Sequence, residues 1–225
     1  MMTYTIKRDL LAATAITMAT KDVRYYLVGM YFEPNANGSV TLAAADGHRM
    51  TVARSEKAFD GQPEAPFIAP SGFITAVLKG ARRDATVSIT VDGTSLTCSA
   101  AGAIGTVIDG RFPDLHRVIN ENVDFGTPDG APNGSVCINP EYIGDTAKQS
   151  AALGLKKFNV AITQRGQHGA IVRFCSREDI FAIIMPFRPG IENRTIPGWA
   201  THAASSANAA SSVNAANAVN AANAA

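Results

Sequence analysis

The sequence predicts an α+β fold made of repeated units, each consisting of a short strand, a helix and three further strands. Alternating apolar and polar residues flank turn signals such as Asn37-Gly38 and Asp92-Gly93, which is typical of hairpins. Apolar residues also recur at the 3.6-residue period of a helix, as they do from Leu10 to Met18. A weak internal repetition of this order predicts three such units in the chain.

The first unit is predicted to begin near Thr3. Residues 4–6 form its expected lead strand, and residues 7–19 form a helix whose apolar stripe faces a core. The aromatic and β-branched residues of 24–33 favour a strand. The three strands of this unit are expected at about 24–33, 39–45 and 49–54.

The second unit is predicted to begin at Pro66, with residues 66–69 as its lead strand. Pro70 suits the first position of the following helix, because its missing N–H would be unpaired there anyway. The buried face of that helix is expected to comprise Phe73, Ile74, Val77 and Leu78. Strands are expected at 87–91, 94–98 and 103–108, the last running into a turn at 109–113.

The third unit follows residues 119–134, which combine Gly, Pro, Asn and Asp without periodicity and are interpreted as a linker. Residues 135–138 are its expected lead strand. Asn139 is a good N-cap, Pro140 fits the first helical position and Glu141 suits the positive end of the helix, so a helix is predicted to about Leu153. Strands are expected near 157–163, 169–175 and 179–185.

Composition restricts the class of protein. The 225 residues, 46% of them apolar, are enough for one or two globular domains. No apolar run is long enough for a transmembrane helix, and the N-terminus lacks a signal-peptide pattern. Cys98, Cys137 and Cys175 lack metal-ligand spacing and are expected to be free thiols in a reducing cytosol. The net charge of +1 does not itself indicate nucleic-acid binding, although a local basic surface is compatible with it.

The C-terminal stretch differs in composition from the rest of the chain. After Thr201 and His202, residues up to 225 are Ala, Asn, Ser and a few Val, and the stretch 201–225 cannot bury enough apolar surface to offset the entropy of ordering. We therefore expect a disordered tail. The expected organisation is a complete domain at 1–118, a linker at 119–134, a half domain at 135–189, and a linker with the tail at 190–225.

Several motifs resemble the bacterial DNA polymerase III beta subunit, the sliding clamp. The runs RYYLVG (24–29) and AADGHRM (44–50) resemble RYYLNG and ATDGHRLA of its middle domain, with Ala45 in place of the family's threonine. IDGRFPD (108–114) resembles LVDGRFPDY. INPEY (138–142) and IMPFR (184–188) resemble FNxxY and MPMRL of the last domain. The resemblance covers roughly residues 3–189 and implies a sliding-clamp fold, formed by the middle domain plus the second half of the last domain.

The resemblance implies a DNA polymerase processivity factor without catalysis, which encircles duplex DNA in the cytoplasm, at the nucleoid. Family rings hold twelve helix-bearing units, so three units per chain would need four chains. If successive units alternate in orientation, as they do in clamp domains, an odd number of units per chain favours like-to-like contacts and a homotetramer with D2 symmetry. The alternative is a clamp-like interaction module, a decoy or adaptor that binds clamp-interacting peptides or the host clamp without encircling DNA. A decayed fragment is a third possibility.

The resemblance also implies a surface that faces double-stranded DNA. Lysine and arginine bind phosphate oxygens without reading bases, and tyrosine can stack on exposed bases. The alternative is that the charges are ordinary solvated helix charges and that one tyrosine packs in the core. The candidate DNA-binding residues are Lys7, Arg8, Lys21, Arg24, Tyr25, Tyr26, Lys79, Arg82, Arg83 and Lys148.

Family members bind short linear peptides of polymerase and clamp-loader subunits in a groove between the middle and last domains. Mostly apolar residues with a few polar groups suit a motif with Leu and Phe anchors. The alternative is that the apolar members are plain core. The candidate pocket residues are Leu27, Gly47, His48, Arg49, Met50, Pro113, Arg117, Val118, Asn139, Tyr142, Ala170, Ile183 and Met185.

Enzymatic functions find little support in the sequence. Asp46 and His48 could form a catalytic pair, but no G-x-S-x-G motif accompanies them. The sequence has no P-loop and no G-x-G-x-x-G motif. Its histidines lack metal-ligand spacing. We therefore expect neither catalysis nor a cofactor or metal, and no membrane partner.

Overall fold

The computed structural model describes residues 1–83, 85–123, 138–155, 160–163 and 168–187. The first unit contains β1 (Met2–Lys7), α1 (Arg8–Ala15), β2 (Gly29–Pro34), β3 (Val40–Ala45) and β4 (Arg49–Ser55). The second contains β5 (Phe67–Pro70), α2 (Ser71–Gly80), β6 (Thr86–Asp92), β7 (Ser95–Cys98) and β8 (Ala103–Thr106). Helix α3 (Leu115–Val123) follows. The third unit contains α4 (Pro140–Ala152), β9 (Val160–Thr163), β10 (Ala170–Phe174) and β11 (Ile180–Ile184).

Three local predictions differ from the structure. Helix α1 ends at Ala15 rather than near Ala19. Just after this end, the Thr17 hydroxyl donates to the carbonyls of Thr14 and Ala44. Tyr25–Leu27 form a short 3-10 helix rather than the start of a strand. Pro70 is the last residue of β5 and has an extended backbone conformation. Helix α2 therefore begins one residue later than predicted, at Ser71.

Helix α3 extends into the segment that the sequence analysis assigned to the linker. It begins after Asp114, whose side chain accepts the N–H of Arg117 at 3.0 Å, as a helix-capping residue does. Its apolar residues Leu115, Val118 and Ile119 have helical spacing and pack on a sheet. The predicted linker residues 124–134 and the tail lie outside the described residues.

The strands form two antiparallel sheets. One has the order β1-β6-β7-β8 and the other β5-β2-β3-β4-β11-β10-β9. The first two units exchange their lead strands, since β1 pairs with β6 and β5 pairs with β2. A continuous hydrophobic core joins both sheets to α1 and α2, with Tyr4, Phe32 and Ile74 fully buried in it.

The third unit extends the sheet of the first unit. Strand β11 pairs with β4, and α4 packs against α1. The buried amide of Gln149 on α4 donates to the Ala13 carbonyl at 3.2 Å and to the Thr51 hydroxyl at 2.7 Å. Met1–Arg188 consequently form one compact unit.

Candidate functional site

Several of the predicted peptide-binding residues meet at the seam between β4 and β11. Met50 lies opposite Ile183 in the antiparallel register, and Arg49 lies opposite Ile184. The pairing continues beyond the strand ends, where the Met185 N–H donates to the His48 carbonyl at 2.8 Å. Residues from the first and third units, distant in sequence, thereby form one surface.

Arg49 is the centre of the polar part of this seam. Its Nε donates to Asp46 Oδ2 at 3.0 Å, and its Nη1 donates to Asp145 Oδ2 at 2.6 Å. Its guanidinium carbon lies 4.4 Å from the centre of the Tyr142 ring, within the range of a cation–π interaction. Because only 12% of the Arg49 side chain is exposed, water weakens these contacts little. Arg49 therefore fixes α4 to the loop before β4.

Asp145 is held ionised by this arrangement. Burial alone raises the pKa of its carboxyl, but hydrogen bonds from Lys148 and Arg49 outweigh burial and lower the pKa below the ordinary value. Lys148 contacts the other carboxylate oxygen at 2.5 Å. The seam thus carries a carboxylate that two cations share.

The rim of the seam is apolar and exposed. Met185 and Phe187 are 42% and 49% exposed, which is unusual for such side chains. The His48 ring centre lies 6.5 Å from that of Phe187 and 6.3 Å from that of Tyr142. Exposed aromatic and thioether groups beside a fixed arginine are suited to hold apolar anchors of a peptide.

The floor of the seam is buried. Leu27, Met50 and Ile183 belong to one hydrophobic cluster, against which Val118 of α3 packs. Ala170 is fully buried on β10, opposite Ile184. For Leu27, Ala170 and Ile183 the structure therefore favours the alternative of plain core, and they shape the seam from beneath.

The remaining predicted pocket residues lie at or near the beginnings of helices α4 and α3 and in the loop before β4. The Asn139 side chain accepts the N–H of Glu141 at 3.0 Å and caps α4. Pro113 and Arg117 are exposed at the beginning of α3. Gly47 has φ +90°, and a Cβ there would lie 2.5 Å from Nη2 of Arg24, so the loop before β4 needs glycine.

The sequence analysis did not assign Asp46, Asp145 or Phe187 to the site. Phe187 lies two residues after Met185, and this spacing would place both on one side of an extended chain. Asp46 precedes the predicted His48 and Arg49 in the same turn. Asp145 has no sequence signal, because its pairing with Arg49 depends on the docking of α4.

Three of the ten candidate DNA-binding residues lie on long helices, Arg8 on α1, Lys79 on α2 and Lys148 on α4. Lys7, Lys79 and Lys148 are exposed. Two arginines instead connect helices, because Arg8 Nη2 donates to the Leu78 carbonyl and Arg83 Nη2 to the Ala151 carbonyl, each at 2.6 Å. Arg82 lies exposed beside Arg83 after the end of α2.

The loop that contains Lys21 is organised by Asp22. Arg24 donates two side-chain hydrogen bonds to this carboxylate, at 2.9 and 2.6 Å, and a backbone one at 2.8 Å. These bonds lower the pKa of Asp22 to about 2. Tyr25 is 57% exposed, whereas Tyr26 packs against the cluster that contains Leu27, so one of the two tyrosines is free to contact a ligand.

No group of three potential metal-ligating side chains occurs in the described part of the chain. Cys98 is buried and Cys175 exposed, both as free thiols, and Cys137 lies outside this part. No described helix is long and apolar enough to cross a membrane.

Known proteins similar to this chain are sliding clamps. The family model described as DNA polymerase III beta subunit, central domain, matches residues 3–114. The beta sliding clamp of Vibrio cholerae is 32% identical over 117 residues, which are 51% of this chain and 32% of that protein. That of Escherichia coli K12 is 36% identical over 123 residues, or 53% of this chain and 33% of that protein. The chain thus spans about a third of the length of these curated relatives.

Solved structures confirm the fold expected from the sequence. The DNA polymerase sliding clamp of Pseudomonas aeruginosa superposes with a TM-score of 0.64 at 20% identity, covering 84% of this chain and 66% of that one. The DNA polymerase III beta subunit of Thermotoga maritima gives a TM-score of 0.64 at 15% identity, with the same coverage of 84% and 66%.

Proposed function

Because this chain belongs to the DNA polymerase III beta subunit family through residues 3–114, we propose that it is a DNA sliding clamp. It would encircle duplex DNA and tether a replicative polymerase through a peptide-binding pocket. We assign it no catalysis and place it in the cytoplasm, on nucleoid DNA. Tethering by a ring slows dissociation for topological reasons, while non-specific electrostatic contacts leave sliding fast.

The observation that carries the proposal is the joined seam of β4 and β11. It combines a fixed Arg49, an exposed rim of His48, Met185 and Phe187, and an apolar floor. A short linear peptide from a polymerase or a clamp loader, with Leu and Phe anchors, fits this chemistry. The peptide would lie across two units, so its binding would also strengthen their docking.

The proposed DNA contacts come from the end of β1, the end of α2 and the residues after it, and the loop at Lys21. We keep Lys7, Lys21, Lys79, Arg82 and Tyr25 as phosphate or base contacts. Arg8, Arg24, Arg83 and Lys148 already bind groups within the protein, so their main role would be to hold the helices and the loop. We propose four chains in the ring, since this supplies the twelve units that the family resemblance implies.

The topological claim is tested on one plasmid in two forms. The full chain is loaded on closed circular DNA together with a bacterial clamp loader, then washed with concentrated salt. We expect retention on the circle and loss after a single restriction cut, because only a threaded ring depends on closure. Equal loss from circular and linear DNA would contradict encirclement.

The pocket claim is tested by fluorescence anisotropy with a labelled peptide carrying Leu and Phe anchors. Replacing Phe187 by alanine removes an exposed rim contact, and we expect affinity to fall about tenfold, equivalent to about 1.4 kcal/mol. Val23→Ala is the matched control, since Val23 is 97% exposed in the loop before the 3-10 helix. Unchanged affinity of the Phe187 variant would contradict this pocket.

A second candidate function is a non-encircling adaptor or decoy. The observation that favours it is that the described residues form three units and that the match spans about a third of the curated relatives. Such a protein would bind the same peptide with normal affinity, but its retention would not differ between circular and cut DNA.

A further inference from the structure

Strand β8 is the last strand of the second unit and ends the four-stranded sheet. The Val107 N–H, directly after β8, donates to the Thr94 carbonyl at 2.8 Å and so points to the β7 side. Because the backbone groups of successive strand residues point to opposite sides, those of Ile104 and Thr106 point away from β7. Within the described residues, no strand pairs with β8 on that side. The outer side of β8 therefore presents backbone donors and acceptors to a further strand.

The edge at β8 lacks the charged residues and prolines that usually protect a sheet edge. Such residues discourage pairing with a strand of another molecule. Between Asp92 and Asp109 the chain has no charged residue and no proline, and this stretch includes both β7 and β8. Ile104, on the edge strand itself, is 80% exposed. We therefore expect this edge to be covered in the assembled protein.

The last strands of the other two units show what covers such an edge. Strand β4 ends the first unit and β11 ends the third, and the two pair in antiparallel register, from Ala53 with Ile180 to Arg49 with Ile184. The junction between these units is thus made by last strand against last strand. In the described part of the chain, β8 is the one last strand without such a partner.

The helices behind these strands have the same arrangement. Helix α1 packs behind β4, and α2 packs behind β8. Where β4 meets β11, α1 also packs against α4, so the junction has a layer of strands and a layer of helices. Strand β8 and α2 thus present to a partner the same two layers that β4 and α1 present to the third unit.

We propose that β8 pairs in antiparallel register with β8 of a second copy of this chain. Ile104 would lie opposite the partner's Thr106, because this register pairs all the outward-pointing backbone groups of both residues. Gly105 would then face the partner's Gly105 on a two-fold axis. A contact between identical surfaces of this kind closes with two copies.

The occupant is a second copy because the junction within the chain joins last strands, and β4 and β11 already occupy each other. Residues 124–137, 156–159 and 164–167, which lie outside the described residues, are connections next to or within the third unit. Residues 201–225 are mostly Ala and Asn, which are depleted in strands. The strand of the required kind that remains is β8 itself.

This inference goes beyond the proposed clamp function, since the β8 contact requires neither DNA nor a peptide. It also supplies one of the contacts that a ring of four chains needs, and only that use of it rests on the proposed function. The two can fail separately, because the mass of the chain tests the β8 contact and retention on circular DNA tests the ring.

The first measurement is the solution mass of the full chain by sedimentation equilibrium. Ile104→Glu places a charge in the proposed contact, and the 80% exposure of this position lets the chain fold, which circular dichroism checks. We expect the mass of the assembly to halve, from four chains to two or from two to one, because one like-to-like contact is lost. Val23→Glu, at a 97% exposed position, is the matched control and should keep the mass of the unmodified chain.

The second measurement tests the register without introducing a charge. Copies with Ile104→Cys are mixed with copies with Thr106→Cys and oxidised in air. Opposite residues of such a pair have Cα atoms about 5.5 Å apart, which a disulfide can span. We expect a disulfide between the two positions, identified by peptide mass spectrometry because Cys175 is also exposed. A mixture of Val23→Cys and Thr106→Cys copies is the control and should not form one.

Each outcome supports or overturns a defined part of the proposal. An Ile104→Glu chain with the mass of the unmodified chain overturns the β8 contact, and so does an unmodified chain that stays monomeric. If the β8 amides of that monomer resist exchange, a segment of the same chain covers the edge. A halved mass without the disulfide overturns the register. An unmodified dimer that Ile104→Glu dissociates supports the β8 contact and overturns the four-chain ring.

Discussion

The first two units and the third unit use the same elements but reach stability differently. In residues 1–106, reciprocal strand exchange gives both sets of three strands a fourth strand, and one core fills the interior. The third unit instead uses its last strand to join β4 and its helix to pack on α1. The comparison teaches that a repeated unit is only half of a stable domain, and that the third unit depends on docking.

The contrast is visible at core-facing positions of the strands. Phe32 of β2 and Phe174 of β10 are 0% and 2% exposed, so both units bury a large aromatic residue. The units differ at their first strands, where Ile162 is exposed and Ile89 is not. The third unit therefore has a good core beneath β10 and β11 and an incomplete one beneath β9.

The largest expected effect comes from the core of the third unit. Replacing Phe174 by alanine should cost about 3–5 kcal/mol of unfolding free energy, because the buried ring leaves a cavity. Since the third unit is a dependent attachment, amide exchange should accelerate in β10 and β11 while β6 and β7 stay protected. Phe187→Ala, at a 49% exposed position, is the control and should change stability little. Equal acceleration in β6 would contradict the separate stability of residues 1–106.

The next effect concerns the buried amide that connects the units. Gln149→Leu should destabilise docking by about 1–3 kcal/mol, because the Thr51 hydroxyl loses its partner in a buried site. Urea denaturation with exchange mass spectrometry would measure it. Adding Thr51→Val removes the orphaned hydroxyl, so the double variant should regain part of the loss. A double variant as unstable as the sum of both single changes would argue against this coupling.

The smallest effect comes from Asp145 and depends on pH. Its pKa is lowered in the folded state, so its stabilising contribution is complete above the ordinary value of 3.8 and is lost as the pH falls through the lower folded value. Asp145→Asn should lower the free energy of unfolding by about 1 kcal/mol at neutral pH. The difference between the two proteins should disappear in acid. A difference that grows in acid would contradict the assigned direction of the pKa shift.

Much of the fold could be predicted because local signals agree with it. The Asn-Pro-Glu start of α4 and the turn at Asp92-Gly93 match the observed elements. The 3-10 helix at Tyr25 was missed because aromatic residues favour strands, whereas the bonds from Arg24 to Asp22 shape this loop. Helix α3 was missed because glycine- and proline-rich sequence follows it directly.

The candidate site was predicted only in part. Family motifs identified Arg49, Tyr142 and Met185, which the structure brings to one seam. No local pattern could identify Asp145, since its role follows from the docking of two units. Burial of Leu27 and Ile183 likewise depends on tertiary packing beneath α3. The sequence therefore indicated which types of side chain form the seam, but not which of these side chains would be exposed.

The most direct test of the central comparison is amide exchange of the unmodified chain at rising urea concentrations. If the third unit depends on its docking, the amides of β10 and β11 should lose protection at lower urea concentrations than those of β6 and β7, which belong to the reciprocally paired units of residues 1–106. Loss of protection in all four strands at the same urea concentration would contradict the account.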